Sequence, residues 1–166
     1  MTEATEHATA TRALDRRIMV VWTVQTAILF LVLAVVALAV DAGSRLAGAH
    51  PPGPPGLAAV LVALAGAVVS WWAPKAEYRH WSYTVADDAL ELRHGILQRV
   101  HSAIPYFRVQ HIDVTQGPVE RLVGLSRLII HTASAGTDAT VPGIAAEEAE
   151  ELRRVILARA GTGDAV

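Results

Sequence analysis

The stretch Ile18–Val40, IMVVWTVQTAILFLVLAVVALAV, contains no charged side chain. A second run, Leu57–Ala73 (LAAVLVALAGAVVSWWA), is equally free of charge. A helix on the surface of a soluble domain keeps charged residues on its wet face, and these runs have none. As helices they extend about 34 Å and about 25 Å, against a hydrocarbon core of about 30 Å. Starting the second helix at Pro54 or Pro55 makes up the shortfall, because proline is accepted in a first turn. The runs therefore read as a transmembrane helical hairpin over residues 18–74, with spans of about 18–40 and 55–73, and Pro74 is expected to stop the second helix. A secretory signal fits poorly, since its apolar region is much shorter.

The flanks orient this hairpin. Trp22 lies near the start of the first run, and Trp71 and Trp72 near the end of the second. In an antiparallel hairpin all three fall at one interface, where an indole keeps its ring in lipid and its N–H in water. Arg12, Arg16 and Arg17 precede the first span, and Lys75 and Arg79 follow the second, while the connecting loop holds only Arg45. The excess of positive charge places both termini in the cytoplasm, in a multi-pass protein of the cytoplasmic membrane. Arg16, Arg17, Trp22, Trp71, Trp72 and Lys75 are the expected interface anchors. Small residues recur at helix-contact spacing in the second span, Ala63 with Ala67 and Gly66 with Ser70, and permit close approach to the first. Gln25 and Thr26 are polar but not ionisable, and a transport path normally shows an ionisable group at mid-depth.

The remainder has the composition of a soluble domain. The 166-residue chain is 52% apolar with a mean hydropathy of +0.36, but from Glu77 onward nine Arg face twelve Asp and Glu. That balance, with no basic run interleaved with aromatics, excludes a nucleic-acid partner. Cysteine is absent, and with it disulfides, thiolate zinc sites and thiol catalysis.

From His80 the apolar period changes to two. Strands are expected at Trp81–Val85, Leu90–Arg93, Ile96–Ile104, Val109–Gln116, Arg127–Thr132 and Ala139–Val141. Asp87-Asp88, Gly95 and Ala135-Gly136-Thr137-Asp138 serve as turns, and Pro142-Gly143 closes the last strand. A short helical turn, Val119–Val123, ends at Gly124. The last element is an amphipathic helix with Glu147, Glu148, Glu150 and Glu151 toward its start and Arg153, Arg154 and Arg159 toward its end, matching the helix dipole. Ala149, Leu152, Val155 and Ile156 form its apolar stripe, and Gly161 its stop. Antiparallel strands followed by one such helix suit a curved sheet or partly open barrel with a helix over one end. The soluble domain is assigned to residues 77–160, residues 1–17 to a cytoplasmic tail and residues 161–166 to a flexible tail.

Two stretches carry a family resemblance. These are Trp81-Ser82-Tyr83 with Gly95-Ile96, and above all P-x-x-R-V-Q-x-I-D-V-x-Q-G-P-x-x-R-L-x-G from Pro105 to Gly124. They resemble the bacterial PH domain of the DUF304 or bPH2 type, and the hairpin resembles that of its small YdbS-like members. The resemblance covers roughly residues 19–160. It implies an α+β membrane protein: the hairpin, then two near-orthogonal antiparallel sheets in a PH-like β-sandwich or partly open barrel, capped by a C-terminal helix. It also implies frequent company with a larger relative carrying several such domains.

The chemistry-bearing residues are sparse. His80, His94, His101, His111 and His131 show no H-x-x-x-H or H-E-x-x-H spacing, so no metal is expected. Asp87-Asp88 is explained by a hairpin turn, and neither a nucleophile elbow nor a phosphate loop is present. No cofactor and no enzymatic activity are expected. The polar members of the family-like signature, Arg108, Gln110, His111, Gln116 and Arg121, are the candidate surface for a ligand or partner. They have a structural alternative, in which Arg108 and Arg121 pair with Asp113 or Glu120 and the glutamines tie strand ends to loops. Lipid-binding eukaryotic PH domains use basic residues at the first strand turn, and the corresponding turn here is acidic. A protein-interaction role, with a larger PH-like membrane relative or with itself, is therefore expected. The alternative is head-group sensing through Arg79, Arg93, Arg99 and Arg108.

Overall fold

A computed structural model describes residues 11–49, 51–96, 98–132 and 138–162. The chain divides into two compact units: Met19–Lys75, and Met1–Ile18 together with Ala76–Val166.

The first unit is the hairpin. Helix α1 (Ile18–Leu46) and helix α2 (Leu57–His80) are each long and apolar enough to cross a membrane. Both outrun the sequence expectation. α1 continues past Val40 because Asp41 and Arg45 pair one turn apart at 3.0 Å, and the Ser44 hydroxyl donates to the Asp41 carbonyl. Asp41 also accepts the Gly56 N–H at 3.0 Å, and Arg45 donates to the Gly53 carbonyl. One carboxylate thus joins the end of α1 to the start of α2. α2 begins at Leu57 rather than Pro54 or Pro55, because Gly56 adopts φ +77°, outside helical space.

Pro74 does not end the helix, which continues to His80. A proline withdraws only one backbone donor. The turns after it are held by His80 Nδ1 on the Ala76 carbonyl at 2.7 Å and by the Tyr78 hydroxyl, which donates to the Leu14 carbonyl at 3.0 Å.

Of the small residues on α2, Gly66 and Ser70 are buried and Ala63 and Ala67 are exposed, so only the first pair forms the helix contact. A Cβ at Gly66 would collide with the Phe30 side chain. Gly66→Leu must therefore push the helices apart. We expect it to destabilise the hairpin by about 1–3 kcal/mol, read as a fall in thermal midpoint in mild detergent. Ala63→Leu, at an exposed position, should leave the midpoint unchanged.

The second unit contains two antiparallel sheets. The first has the order β1-β2-β3-β4, with β1 (Thr11–Arg12), β2 (Ser82–Val85), β3 (Ala89–His94) and β4 (Val100–Pro105). The second has the order β5-β6-β7, with β5 (Val109–Thr115), β6 (Leu125–Thr132) and β7 (Ala139–Ala145). A single 3-10 turn, Tyr106–Arg108, joins the sheets. Helix α3 (Pro118–Val123) links β5 to β6, and helix α4 (Ala146–Thr162) closes the fold. Alternation places Tyr83, Val85, Leu90, Leu92 and Ile104 inside from the first sheet, and Ile112, Leu128, Ile130 and Val141 from the second. α4 covers them with Ala149, Leu152 and Ile156, while Val155 stays partly exposed.

Three elements of this unit differ from the sequence expectation. The third strand begins at Val100 instead of Ile96, because the backbone after Gly95 folds back against the Gln98 carbonyl. β7 runs through Pro142-Gly143 to Ala145, where a register shift opposite Ser126–Leu128 absorbs the proline on an edge strand. α4 includes Gly161. The turn expected at residues 135–137 lies outside the described residues, as do residues 163–166 of the C-terminal tail.

The largest difference concerns residues 11–18, assigned by sequence to a tail and a span. Thr11 and Arg12 pair with Thr84 and Tyr83, and the Asp15 N–H donates to the Gly143 carbonyl at 2.9 Å. Leu14 and Ile18 are 4% and 0% exposed. This short segment therefore touches the β2 edge of one sheet and the β7 edge of the other. Gly143 has φ +64°, and a Cβ there would stand 2.7 Å from the Ile18 Cβ, so glycine is required both by the backbone and by the approach of Ile18.

Candidate interaction surface

The Pro105–Gly124 signature folds into the 3-10 turn, β5 and α3, and its residues separate into two groups. The inward group is structural, Tyr106 and Glu120 by burial and Gln116, itself exposed, by its bonds to β6. Tyr106 is buried, its hydroxyl donating to the Ala86 carbonyl at 2.8 Å. Arg159 of α4 donates to the same carbonyl and lies over the Tyr106 ring. Burial pushes the Tyr106 phenol above its usual pKa, and the Arg159 cation opposes this. Gln116 donates to the Leu125 carbonyl and to Ser126 Oγ, both at 3.0 Å. Gln116 thus acts as a strand-end tie, the structural alternative to a ligand contact.

Glu120 is the key residue of the inward group. It is 1% exposed. It accepts the Gly117 N–H at 2.6 Å, which is the carboxylate half of a capping box. It also takes the Arg127 guanidinium at 2.6 and 3.0 Å. Its partner is thus Arg127 of β6, not the neighbouring Arg121. α3 ends at Gly124 in the left-handed conformation, and Arg17 Nη1 donates to the Val123 carbonyl at 2.9 Å.

The outward group consists of Arg108, Gln110, His111 and Arg121, all exposed. Among the described residues neither Arg108 nor Arg121 makes an ion pair. Each stands beside an exposed apolar side chain, Phe107 at 67% and Leu122 at 87%. Neither apolar neighbour was singled out from the sequence. Arg108 and Arg121 lie on different elements, the 3-10 turn and α3.

Other polar groups missed in the sequence support the frame. Tyr83 is buried beneath β1, and burial with the nearby Glu148 carboxylate pushes its pKa up to about 12. Arg12 pairs with Glu148 at 3.1 Å, tying β1 to α4. No signal along the chain joins residues 12, 83 and 148. Among the expected interface anchors, Trp71 and Trp72 are well exposed on α2, and Lys75 Nζ sits 3.9 Å above the Trp71 ring. Trp22 is half-buried and Arg16 exposed. Arg17 is engaged by Asp15 at 2.7 Å as well as by Val123, and this guanidinium holds the Asp15 carboxyl below its usual range.

Two sheets closed by a C-terminal helix, behind two apolar helices, define a PH-like module on a membrane hairpin. Residues 21–160 match the bacterial PH domain family, and the chain belongs to it. It is 34% identical over 80 residues to the UPF0699 transmembrane protein YdbS of Bacillus subtilis (strain 168). That alignment covers 48% of this chain and 49% of the relative, so the chain matches about half the length of the curated relative. No solved structure matches the chain. The hairpin and the transmembrane relative together place the protein in a membrane.

Proposed function

We propose that this is a non-enzymatic membrane protein whose PH-like domain docks another protein bearing the same kind of domain, a larger PH-like membrane relative or a second copy. Both termini and the domain lie on the cytoplasmic side, as the basic flanks argue. The observation that carries the reading is the division of the signature. Tyr106 and Glu120 are buried and Gln116 is tied to the start of β6, while Phe107-Arg108 and Arg121-Leu122 are exposed. Apolar side chains next to arginine are the composition of interface hot spots.

Purification from native membranes in mild detergent tests it. We expect the protein to emerge with a PH-like partner in stoichiometric amount or as a homo-oligomer. Arg108→Glu combined with Leu122→Asp should weaken that association at least tenfold, with the fold intact because both sites are exposed. A monomer in several mild detergents that captures no PH-like protein overturns the proposal.

The same two apolar–arginine pairs also suit an anionic membrane surface, where the ring or aliphatic chain enters the interface and the cation meets head groups. The exposed acidic turn Asp87-Asp88 and the net negative charge of the domain weigh against this second reading. It requires salt-sensitive co-flotation of the nanodisc-embedded protein with anionic vesicles and none with neutral ones.

A further inference from the structure

Asp113 and His131 play no part in the reading above, and His111 enters it only as a polar residue. The fold brings the three together. His111 and Asp113 are two apart on β5 and so share one face. His131 on β6 is the cross-strand partner of His111. The two imidazoles stack with centroids 4.3 Å apart and planes 20° from parallel. Both Nε2 atoms approach the same carboxylate oxygen: Asp113 Oδ2 lies 3.9 Å from His111 Nε2 and 3.5 Å from His131 Nε2. All three donor atoms lie within 4.8 Å of one another on the surface of the sheet.

We propose that His111, Asp113 and His131 form a binding site for a divalent first-row transition ion, Zn2+ in the first instance. The proposal is independent of the docking reading. The orientation of His131 supports it most strongly. Its Nδ1 lies 2.9 Å from Asp138 Oδ2, and an ionised carboxylate can only accept, so Nδ1 carries the hydrogen. In the neutral ring the lone pair then sits on Nε2, the atom facing Asp113. Asp138 is itself fixed, since its other oxygen accepts the Thr132 N–H at 3.0 Å. A carboxylate that orients a histidine through the nitrogen opposite the metal is the recurrent outer-shell arrangement of zinc sites.

The donor separations are close to those a metal ion needs, and the two stacked rings tilt toward a common point to bind it. Ligand bonds of about 2.0–2.2 Å at tetrahedral angles separate donor atoms by about 3.4 Å, near the two nitrogen–oxygen distances already present. Two imidazoles and one carboxylate favour Zn2+ over the oxygen-seeking Mg2+ and Ca2+. The open side of the site leaves the fourth position to water or to a donor from another molecule.

The test titrates the full-length protein in detergent, free of any polyhistidine tag and treated with chelator, with Zn2+ alone by calorimetry. We expect one saturable site per chain. His111→Ala and His131→Ala should each weaken it at least tenfold. Asp138→Asn, which touches no ion, should weaken it about tenfold, with thermal midpoints and circular dichroism unchanged in all three. An excess of Mg2+ should not compete. Absence of binding, or Zn2+ affinity unchanged in the His111→Ala/His131→Ala double variant, overturns the proposal.

Discussion

The fragment Ala76–Val166, produced without the segment before the first span, is expected not to fold. It would lose Leu14 and Ile18, which are 4% and 0% exposed in the domain, and the whole of β1. Fully burying such side chains contributes about 1.5–3 kcal/mol each. The edge of β2, the Gly143 carbonyl and the Glu148 carboxylate would also lose the partners that Thr11–Arg12, Asp15 and Arg12 supply. A domain of this size has a total stability of about 5–10 kcal/mol, so the combined loss takes most of it. The full-length variant Leu14→Ala/Ile18→Ala should fall by about 5 kcal/mol for the same reason. Limited proteolysis and near-ultraviolet circular dichroism read both, with Arg16→Ala, an exposed site, as the neutral control. Native protease resistance in the fragment would show that residues 11–18 are dispensable.

Glu120→Ala is expected to cost about 3 kcal/mol. The substitution strands the Arg127 guanidinium and the Gly117 N–H that the carboxylate serves. Breaking a buried ion pair from one side costs about 3–5 kcal/mol. The lower end applies because the Arg127 side chain is 37% exposed and regains water. Arg127→Ala therefore leaves the more deeply buried partner behind and should cost at least as much, whereas Arg121→Ala should be near neutral. Thermal melts of the full-length protein in detergent order the three variants. An Arg121→Ala loss matching that of Glu120→Ala would mean that Arg121 is the partner.

Much of the architecture was legible because it is written locally. A charge-free run of more than twenty residues needs no tertiary partner to be recognised as a span. The two-residue alternation from Trp81 onward revealed most of the strands, and the Gly117-Pro118 and Gly124 boundaries marked α3 with an error of a single residue. In two places where the expectation failed, a distant group overrode a local rule. Pro74 would end an isolated helix, yet the turns after it are held by Tyr78 on Leu14 and by His80. Pro142-Gly143 would end an isolated strand, yet a register shift opposite β6 carries the strand past it.

The surface was less legible than the fold. Gln116 matched its structural alternative as a strand-end tie, but Glu120 could not be matched to Arg127 without knowing that α3 folds back on the start of β6. Phe107 and Leu122 read as apolar residues like any others, and only the fold leaves them uncovered. His111 and His131 are twenty residues apart, so no ligand spacing along the chain joins them. The β5–β6 register alone places them side by side.

The sequence by itself therefore determined the class of protein: a membrane hairpin followed by an antiparallel PH-like domain with a closing helix. Hydropathy, period and turn chemistry are properties of neighbours in the chain. The tertiary structure alone decided that residues 11–18 belong to the domain behind the hairpin, that Arg127 answers Glu120, and that two histidines and an aspartate meet on one face. Each of these depends on the pairing of segments remote in sequence, such as Thr11 with Thr84 and His111 with His131. Strand register and burial set those pairings, and no local propensity encodes them.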